Sequence, residues 1–540
     1  MTNTRCHGTN QPDGTIRSPS PLNTLIVKDK VVGNNSHLTG FQHDHYDRAP
    51  MKRVASGILP FIPVDRRARK ALHRQIYDAY RGAIIEGRLR PGQRIPSSRG
   101  LASELCVSRF PVLNAYAQLL AEGYLESRVG AGTVVSSSLP EQLTSCAPAG
   151  GQFATSRSGP RPVVRRSFLP RAESSAPWLH GWGAFGVGQV AVDQFPVHIW
   201  SSLVARRCRS MDAKSFHYGD QMGSKALRET LASYLRAARS LRCEAEQVMI
   251  TSGSQQALEI SARVLLDSRN SVWIEEPCYR LAREVFALTG CHLVPVPVDQ
   301  EGLDVAAGIK RCHKARTVFV TPSHQFPLGV TMSASRRFQL LDWAQRAGSW
   351  IIEDDYDAEY RYESLPIASL QGLDANGRVI YIGTFSKVLF PSLRLGYGVI
   401  PPDLVDHFLA IRRAMDLGPP TFYQEVLADF IAEGHFARHI RRMRVLYGER
   451  RRVLVDTIDK ELGSRVNVLG DEAGMHLAVT LPNQSLDTEI AERAARQNLR
   501  IWPLSPSYLG GARPGFILGF GSASVEEIPA AVRKLRKLLT

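Results

Sequence analysis

From about residue 185 onward, short β-rich runs alternate with stretches long enough for a helix. The runs are Val248-Met249-Ile250-Thr251, Ser271-Val272-Trp273-Ile274, Thr317-Val318-Phe319-Val320, Trp350-Ile351-Ile352 and Val379-Ile380-Tyr381-Ile382. Strands joined by helical crossovers pair in parallel, so the region is restricted to an α/β body with a mostly parallel sheet. Beyond about residue 405, long basic helices (Gln424 to Arg452) lead to a smaller α/β piece around His476–Leu481 and Phe516–Phe520. A chain of 540 residues exceeds one ordinary core, so two or three domains are expected.

The apolar residues are never continuous for 18 positions, so no membrane span is expected. The N-terminus lacks the basic start and apolar core of a secretory signal, which points to the cytoplasm. Met51-Lys52-Arg53 offers an alternative start of the chain. The eight cysteines form no C-x-x-C pair, so they read as free thiols and no metal site is expected. Residues 1–65 are polar and aperiodic, as in a disordered extension. Residues 137–182 are rich in Ser, Pro, Ala, Gly and Arg and read as a flexible linker, whose mean span would be roughly 35–40 Å.

Between these two stretches, residues 66–136 form a compact unit. Leu72, Ile76, Tyr80 and Ile84 recur at helical spacing, and Gly87 and Pro91-Gly92 stop that helix. Ser97 or Ser98 can cap a second helix over Arg99–Leu105, and Cys106-Val107 makes a tight turn. Ser108 is placed to cap a third helix with Pro111 in its first turn, and Gly123 ends it. A hairpin around Val129-Gly130-Ala131-Gly132 follows, giving the order of a winged helix-turn-helix. The net charge is +16, and Arg66–Val135 holds twelve Lys/Arg against five Asp/Glu. That local excess favours double-stranded DNA over a protein partner. The start of the third helix would face base edges with Ser108, Arg109, Phe110 and Asn114. Arg99 and Arg128 suit phosphate or the minor groove.

The body carries a second constellation. Lys387 stands in Gly383-Thr384-Phe385-Ser386-Lys387, followed by Arg394, and Glu353-Asp354-Asp355-Tyr356 ends a strand upstream. These groups meet the demands of pyridoxal 5′-phosphate (PLP). Lys387 supplies an amine for the aldehyde as a Schiff base. Asp354 suits the pyridine nitrogen and Tyr356 the ring hydroxyl. Ser254 and Gln255, where a strand opens into a helix, suit the phosphate, with Thr384 and Arg394 closing the cup. Tyr279, after another strand end, offers an aromatic face. All lie at strand C-termini, where α/β sheets bind ligands.

Pro96-Ser97-Ser98-Arg99, Leu101-Ala102, Leu105, Val107-Ser108-Arg109 and Leu119-Leu120-Ala121-Glu122-Gly123-Tyr124-Leu125 resemble the GntR family of bacterial regulators, with Phe110-Pro111 standing where relatives carry small polar residues. Residues 183–540 resemble fold-type I aminotransferases. Head and body together resemble the MocR subfamily, through Thr321-Pro322-Ser323-His324-Gln325-Phe326-Pro327 and Glu353-Asp354-Asp355-Tyr356-Asp357. The resemblance implies a PLP-dependent transcriptional regulator acting as a homodimer, with PLP or a small amine as effector. Members of the PdxR-like kind sense PLP, and those of the GabR-like kind sense an amine. A working aminotransferase with an accessory DNA-binding head is the other reading. Two departures argue against efficient transamination. Phe326 replaces the asparagine that reaches the ring hydroxyl, and Ile517 aligns with the arginine that grips a substrate carboxylate. Arg513 is near that position but off register. The Ile517 departure leans toward PLP as signal, or an amine without an α-carboxylate.

Overall fold

A computed structural model describes residues 64–128, 132–137, 176–362, 368–482 and 485–539. Met51 and almost all of the expected extension and linker lie outside the described residues. The chain divides into two compact units, a head and a body.

The head contains α1 (Leu72–Ile85), α2 (Ser98–Glu104) and α3 (Arg109–Ala121), then the antiparallel hairpin β1 (Leu125–Arg128) and β2 (Gly132–Val135). The apolar stripe of α1 buries Ile76, Tyr80 and Ile84 against Val112, Tyr116 and Leu119 of α3. The Tyr116 hydroxyl donates to Pro96 O at 3.1 Å, and its ring meets Tyr80 edge-on at 5.5 Å. Ser97 caps α2, its hydroxyl accepting from Gly100 N at 3.1 Å. Cys106 takes a left-handed conformation (φ +52°) and so separates α2 from α3. One expectation is corrected. Ser108 occupies the N-cap position of α3 but makes no capping bond. Arg109 ties the turn instead, its Nε donating to Ser98 Oγ at 3.1 Å.

The body is built on an eight-stranded sheet. Its strands are β3 (Val248–Thr251), β4 (Ser271–Glu276), β5 (His292–Asp299), β6 (Gly302–Leu303), β7 (Thr317–Val320), β8 (Trp350–Asp355), β9 (Val379–Thr384) and β10 (Gly396–Val399). Their order is β3-β10-β9-β8-β7-β4-β5-β6. Neighbours from β9 to β5 run parallel, while β10 is antiparallel to both β3 and β9. All five runs read from the sequence are strands, and β4, β8 and β9 extend further, to Glu276, Asp355 and Thr384. Strands β5 and β10 escape that reading because Pro295, Pro297, Gly396 and Gly398 are residues that ordinarily argue against a strand. At Gly396 the glycine is required: a Cβ there would lie 2.7 Å from the Gly253 carbonyl carbon.

Helices α4 (Ser254–Leu265), α5 (Arg280–Leu288) and α6 (Ala334–Ala347) follow β3, β4 and β7. The long basic helices expected over Gln424–Arg452 are α7 (Phe422–Ala432) and α8 (His435–Leu462). Gly434 separates them at φ +74°, a conformation glycine adopts without steric cost. A second, antiparallel sheet has the order β11 (Asn467–Leu469), β12 (His476–Thr480), β14 (Gly515–Gly519), β13 (Trp502–Pro503). One hydrophobic core joins the two sheets, with Phe385 and Tyr397 beside Leu477, Phe516 and Phe520. The C-terminal ends of the parallel strands are thereby held against the smaller sheet.

Candidate functional site

At those strand ends lies a cavity of about 340 Å³. All eight cofactor residues expected from the sequence line it. Ser254 and Gln255 come from the first turn of α4, Tyr279 from the segment after β4, Asp354 and Tyr356 from the end of β8, and Thr384, Lys387 and Arg394 from β9 and beyond.

Lys387 Nζ donates to Gly188 O at 3.4 Å. Burial lowers its pKa, while the nearby Asp357 and Asp354 carboxylates push the other way. Desolvation therefore favours the neutral, nucleophilic amine. Asp354 is 4% exposed. Burial, then the Asp355 and Asp357 charges, push its carboxyl up to about 7. Its Oδ1 is buried without a hydrogen-bond partner. Such an atom is costly unless a donor meets it, and a protonated ring nitrogen would satisfy it. The flanking acids hold the frame. Glu353 accepts from Leu370 N and Gln371 N at 2.9 Å each, and Asp355 accepts from Arg239 Nε at 3.0 Å and from the Tyr381 hydroxyl at 2.5 Å.

The opposite end of the cavity suits an anion. Gly253 (φ +91°) turns the chain so that α4 starts with its N–H groups toward the cavity. Arg394, itself left-handed at φ +51°, donates from Nη2 to Ser252 O at 2.8 Å, which sets its guanidinium beside that turn. Thr384 Oγ1 accepts from Ser386 N at 3.2 Å. Gln255 is braced by its Nε2 donating to Leu281 O at 3.0 Å.

Sequence reasoning gave no role to several other lining residues, among them Thr321, Asp357, His476 and Trp502. Asp357 lies 3.1 Å from His324 Nδ1 and accepts from Met475 N at 3.1 Å. The Tyr356 hydroxyl donates to His324 O at 2.9 Å, and its ring stacks on His476. His324, Asp357 and His476 thus bring one potential ligand atom each within 4.8 Å of one another. His324 and Asp357 stand inside the motifs quoted above. His476 comes from the other sheet, and nothing in its local sequence signals this site.

The two departures line up with the cavity wall. Phe326 meets Tyr279 edge-on at 5.4 Å and His476 at 5.3 Å. Ile517 is buried on β14 and clusters with Phe326, Leu328 and Leu504. Arg513 is exposed in the segment before β14. In the head, Arg99, Ser108, Arg109, Phe110 and Asn114 are all exposed, with Phe110 at 70%. The buried stripe of α3 is Val112, Ala115, Tyr116 and Leu119, which leaves Arg109, Phe110 and Asn114 on its open face. Arg128 closes β1, and its side chain lies outside the described residues.

Residues 184–515 match the model of the aminotransferase class I and II family, and residues 72–135 match that of the bacterial regulatory proteins of the gntR family. The probable rhizopine catabolism regulatory protein MocR of Rhizobium meliloti is 38% identical, over 88% of this chain and 95% of that protein. The pyridoxine biosynthesis transcriptional regulator PdxR of Corynebacterium glutamicum is 32% identical, over 83% of this chain and 91% of that protein. This chain belongs to the MocR-type GntR transcriptional regulators. Its body has the aminotransferase fold. LysN, the α-aminoadipate aminotransferase of Thermus thermophilus solved with N-(5′-phosphopyridoxyl)-L-leucine, superposes with a TM-score of 0.64 at 28% identity, covering 69% of this chain and 95% of that one. The cofactor of this MocR-type body is pyridoxal 5′-phosphate, and a buried amine opposite an unpartnered carboxylate oxygen fits it. When bound, that group supplies an aldehyde and an electron-withdrawing ring. Among the described residues, no helix is long and apolar enough to cross a membrane.

Proposed function

We propose that this regulator senses PLP, or an amine that joins it, at Lys387, and that occupancy changes how its heads engage an operator. The carrying observation is that Lys387 and the unpartnered Asp354 Oδ1 belong to one cavity that also contains a helix N-terminus and Arg394. In this reading Lys387 receives the aldehyde, Asp354 keeps the ring nitrogen protonated, and Tyr356 serves the ring hydroxyl. Tyr279 covers the ring, and Ser254, Gln255, Thr384 and Arg394 hold the phosphate. Ser108, Arg109, Phe110 and Asn114 read bases, while Arg99 and Arg128 hold the backbone. A ligand regulates only by binding two arrangements of the molecule with different affinity.

The regulator works in the cytoplasm as a homodimer, which would present two heads to paired half-sites. Exposed aromatic surface supports a second copy. Tyr218 is 87% exposed and Tyr423 51%, and the two belong to adjoining segments, since a Cβ on Gly219 would lie 2.4 Å from Thr421. Large apolar side chains left in water at one place favour association. One relative is named for pyridoxine biosynthesis and another for rhizopine catabolism. Efficient amino-acid transamination is disfavoured by Phe326 and Ile517.

Lys387→Ala tests the reading. Wild-type protein is expected to change its operator affinity on addition of PLP, and the variant is expected not to respond. A variant that responds as the wild type does would remove Lys387 from the switch.

A further inference from the structure

We infer that the effector is a primary amine carrying no carboxylate, bound between Lys387 and the smaller sheet, so that PLP alone is not the whole signal. The inference rests on the reading of Lys387 as the PLP lysine.

The cofactor residues are only part of the cavity's lining. Val187, Met475, His476 and Trp502 also line it, and the reading above gives none of them the ring or the phosphate to hold. A small molecule beside Lys387 would therefore lie against β12, β13 and β14. The register of these strands decides what it meets. Ile517 on β14 pairs with Trp502 on β13 and with Ala478 on β12. Paired residues share a face of a sheet. Trp502 lines the cavity, so Ile517 belongs to the face that closes it. Around Ile517 that face is apolar, since Ile517 is 1% exposed and clusters with Phe326, Leu328 and Leu504, while the His476 imidazole on the same face is kept uncharged by burial and donates to Pro327 O at 3.2 Å.

A carboxylate placed there would lose its water and, among the described residues, find no free cation. The lining cations are Lys387 and Arg394, committed to the aldehyde and the phosphate. Arg283 is held by Tyr508 O and Pro506 O at 3.3 Å each. Arg513 is exposed on the segment leading into β14. With Asp354 committed to the ring nitrogen, the remaining lining acid is Asp357. Its charge favours an ammonium over a carboxylate. Burying an unpaired carboxylate is far costlier than burying an apolar group of the same size.

The experiment uses full-length protein loaded with PLP, with loading read first from its visible absorbance. The probes are matched pairs differing by one carboxylate: tyramine and tyrosine, agmatine and arginine, 1,5-diaminopentane and lysine. Each is titrated by the absorbance change and by the change in operator affinity. At least one amine is expected to bind about 100-fold or more tightly than its carboxylated partner. Amino acids that bind as well as their amines, or a loaded protein that answers no amine, would overturn the inference. Binding of amino acids that disappears in Arg513→Ala would also overturn it, because Arg513 would then be the clamp. Ile517→Arg is expected to narrow the ratio to within about tenfold by restoring a partner for the carboxylate. If that variant does not fold, the wild-type ratio still decides. A protein that takes up no PLP would instead refute the reading beneath the inference, and that outcome is recorded before any amine is added.

Discussion

Asp354→Asn separates the cost of the site from its use. In the PLP-free protein the Asp354 carboxyl is buried, its Oδ1 lacks a partner, and its pKa is pushed up to about 7. The same group in an unfolded chain titrates near about 3.9. Three units or so correspond to a penalty of about 4 kcal/mol once the carboxylate is ionised. Because the folded value lies above the unfolded one, the penalty is absent below about pH 4, grows between about pH 4 and 7, and is complete above that. Asparagine removes the charge but leaves an amide in place of the orphaned oxygen, which returns about 1–3 kcal/mol of cost. PLP-free Asp354→Asn is therefore expected to be more stable than PLP-free wild type by about 1–3 kcal/mol at pH 8. The difference should shift against the variant by about 2–3 kcal/mol between pH 8 and pH 5. Added PLP should stabilise the wild type strongly and the variant weakly, because the ring nitrogen loses its counter-charge. Urea unfolding followed by tryptophan fluorescence, with and without PLP, measures all three quantities. A PLP-free variant no more stable than wild type at pH 8, or equally favoured at both pH values, would refute the electrostatic account of Asp354.

Gly188→Ala is expected to abolish or greatly slow PLP loading, because a Cβ there would lie 2.1 Å from Lys387 Nζ and the backbone is at φ +72°; absorbance after PLP addition measures it, and normal loading would mean that Lys387 moves freely. Arg394→Ala should weaken PLP binding by about 10–100-fold, the worth of one charge-assisted hydrogen bond. Equilibrium dialysis reads that loss, and an unchanged affinity would take Arg394 out of the phosphate cup. In the head, Arg109→Ala should cost about 1–3 kcal/mol on the operator and relax preference at one base pair. Arg99→Ala should weaken binding to all sequences alike and flatten the salt dependence by about one charge. Binding isotherms at several salt concentrations separate the two, and the opposite assignment of effects would exchange their roles.

That the cofactor residues would share one cavity was legible because each stands at or after a strand end, and α/β topology gathers strand ends. Asp354 is well removed in sequence from Lys387 and Arg394, yet the order β8, β9, β10 makes their strands neighbours. Periodicity carried the head equally well, since the Ile76, Tyr80 and Ile84 stripe of α1 is its core face. What stayed hidden depends on tertiary approach. His476 reaches the cavity only because the small sheet docks on the large one, and its own strand reads as ordinary core. Strand β10 was masked by Gly396 and Gly398, and the missing side chain of Gly396 makes room for the turn that carries Ser254. The Ser108 cap failed for a local reason: a residue type suited to capping was present, but the Arg109 side chain took over the tie to the preceding helix. The break at Gly434 was readable in principle, since glycine inside a helical pattern marks either a cost or an end.

The central claim is that Lys387 holds PLP in the body of a DNA-binding regulator. Its most direct test is the visible absorbance spectrum of the purified protein, before and after added PLP and after borohydride reduction, with peptide mapping of the product. The account predicts a visible band that disappears on reduction and leaves a pyridoxyl adduct on Lys387. A protein that remains colourless in the presence of PLP, or an adduct on another lysine, would contradict it.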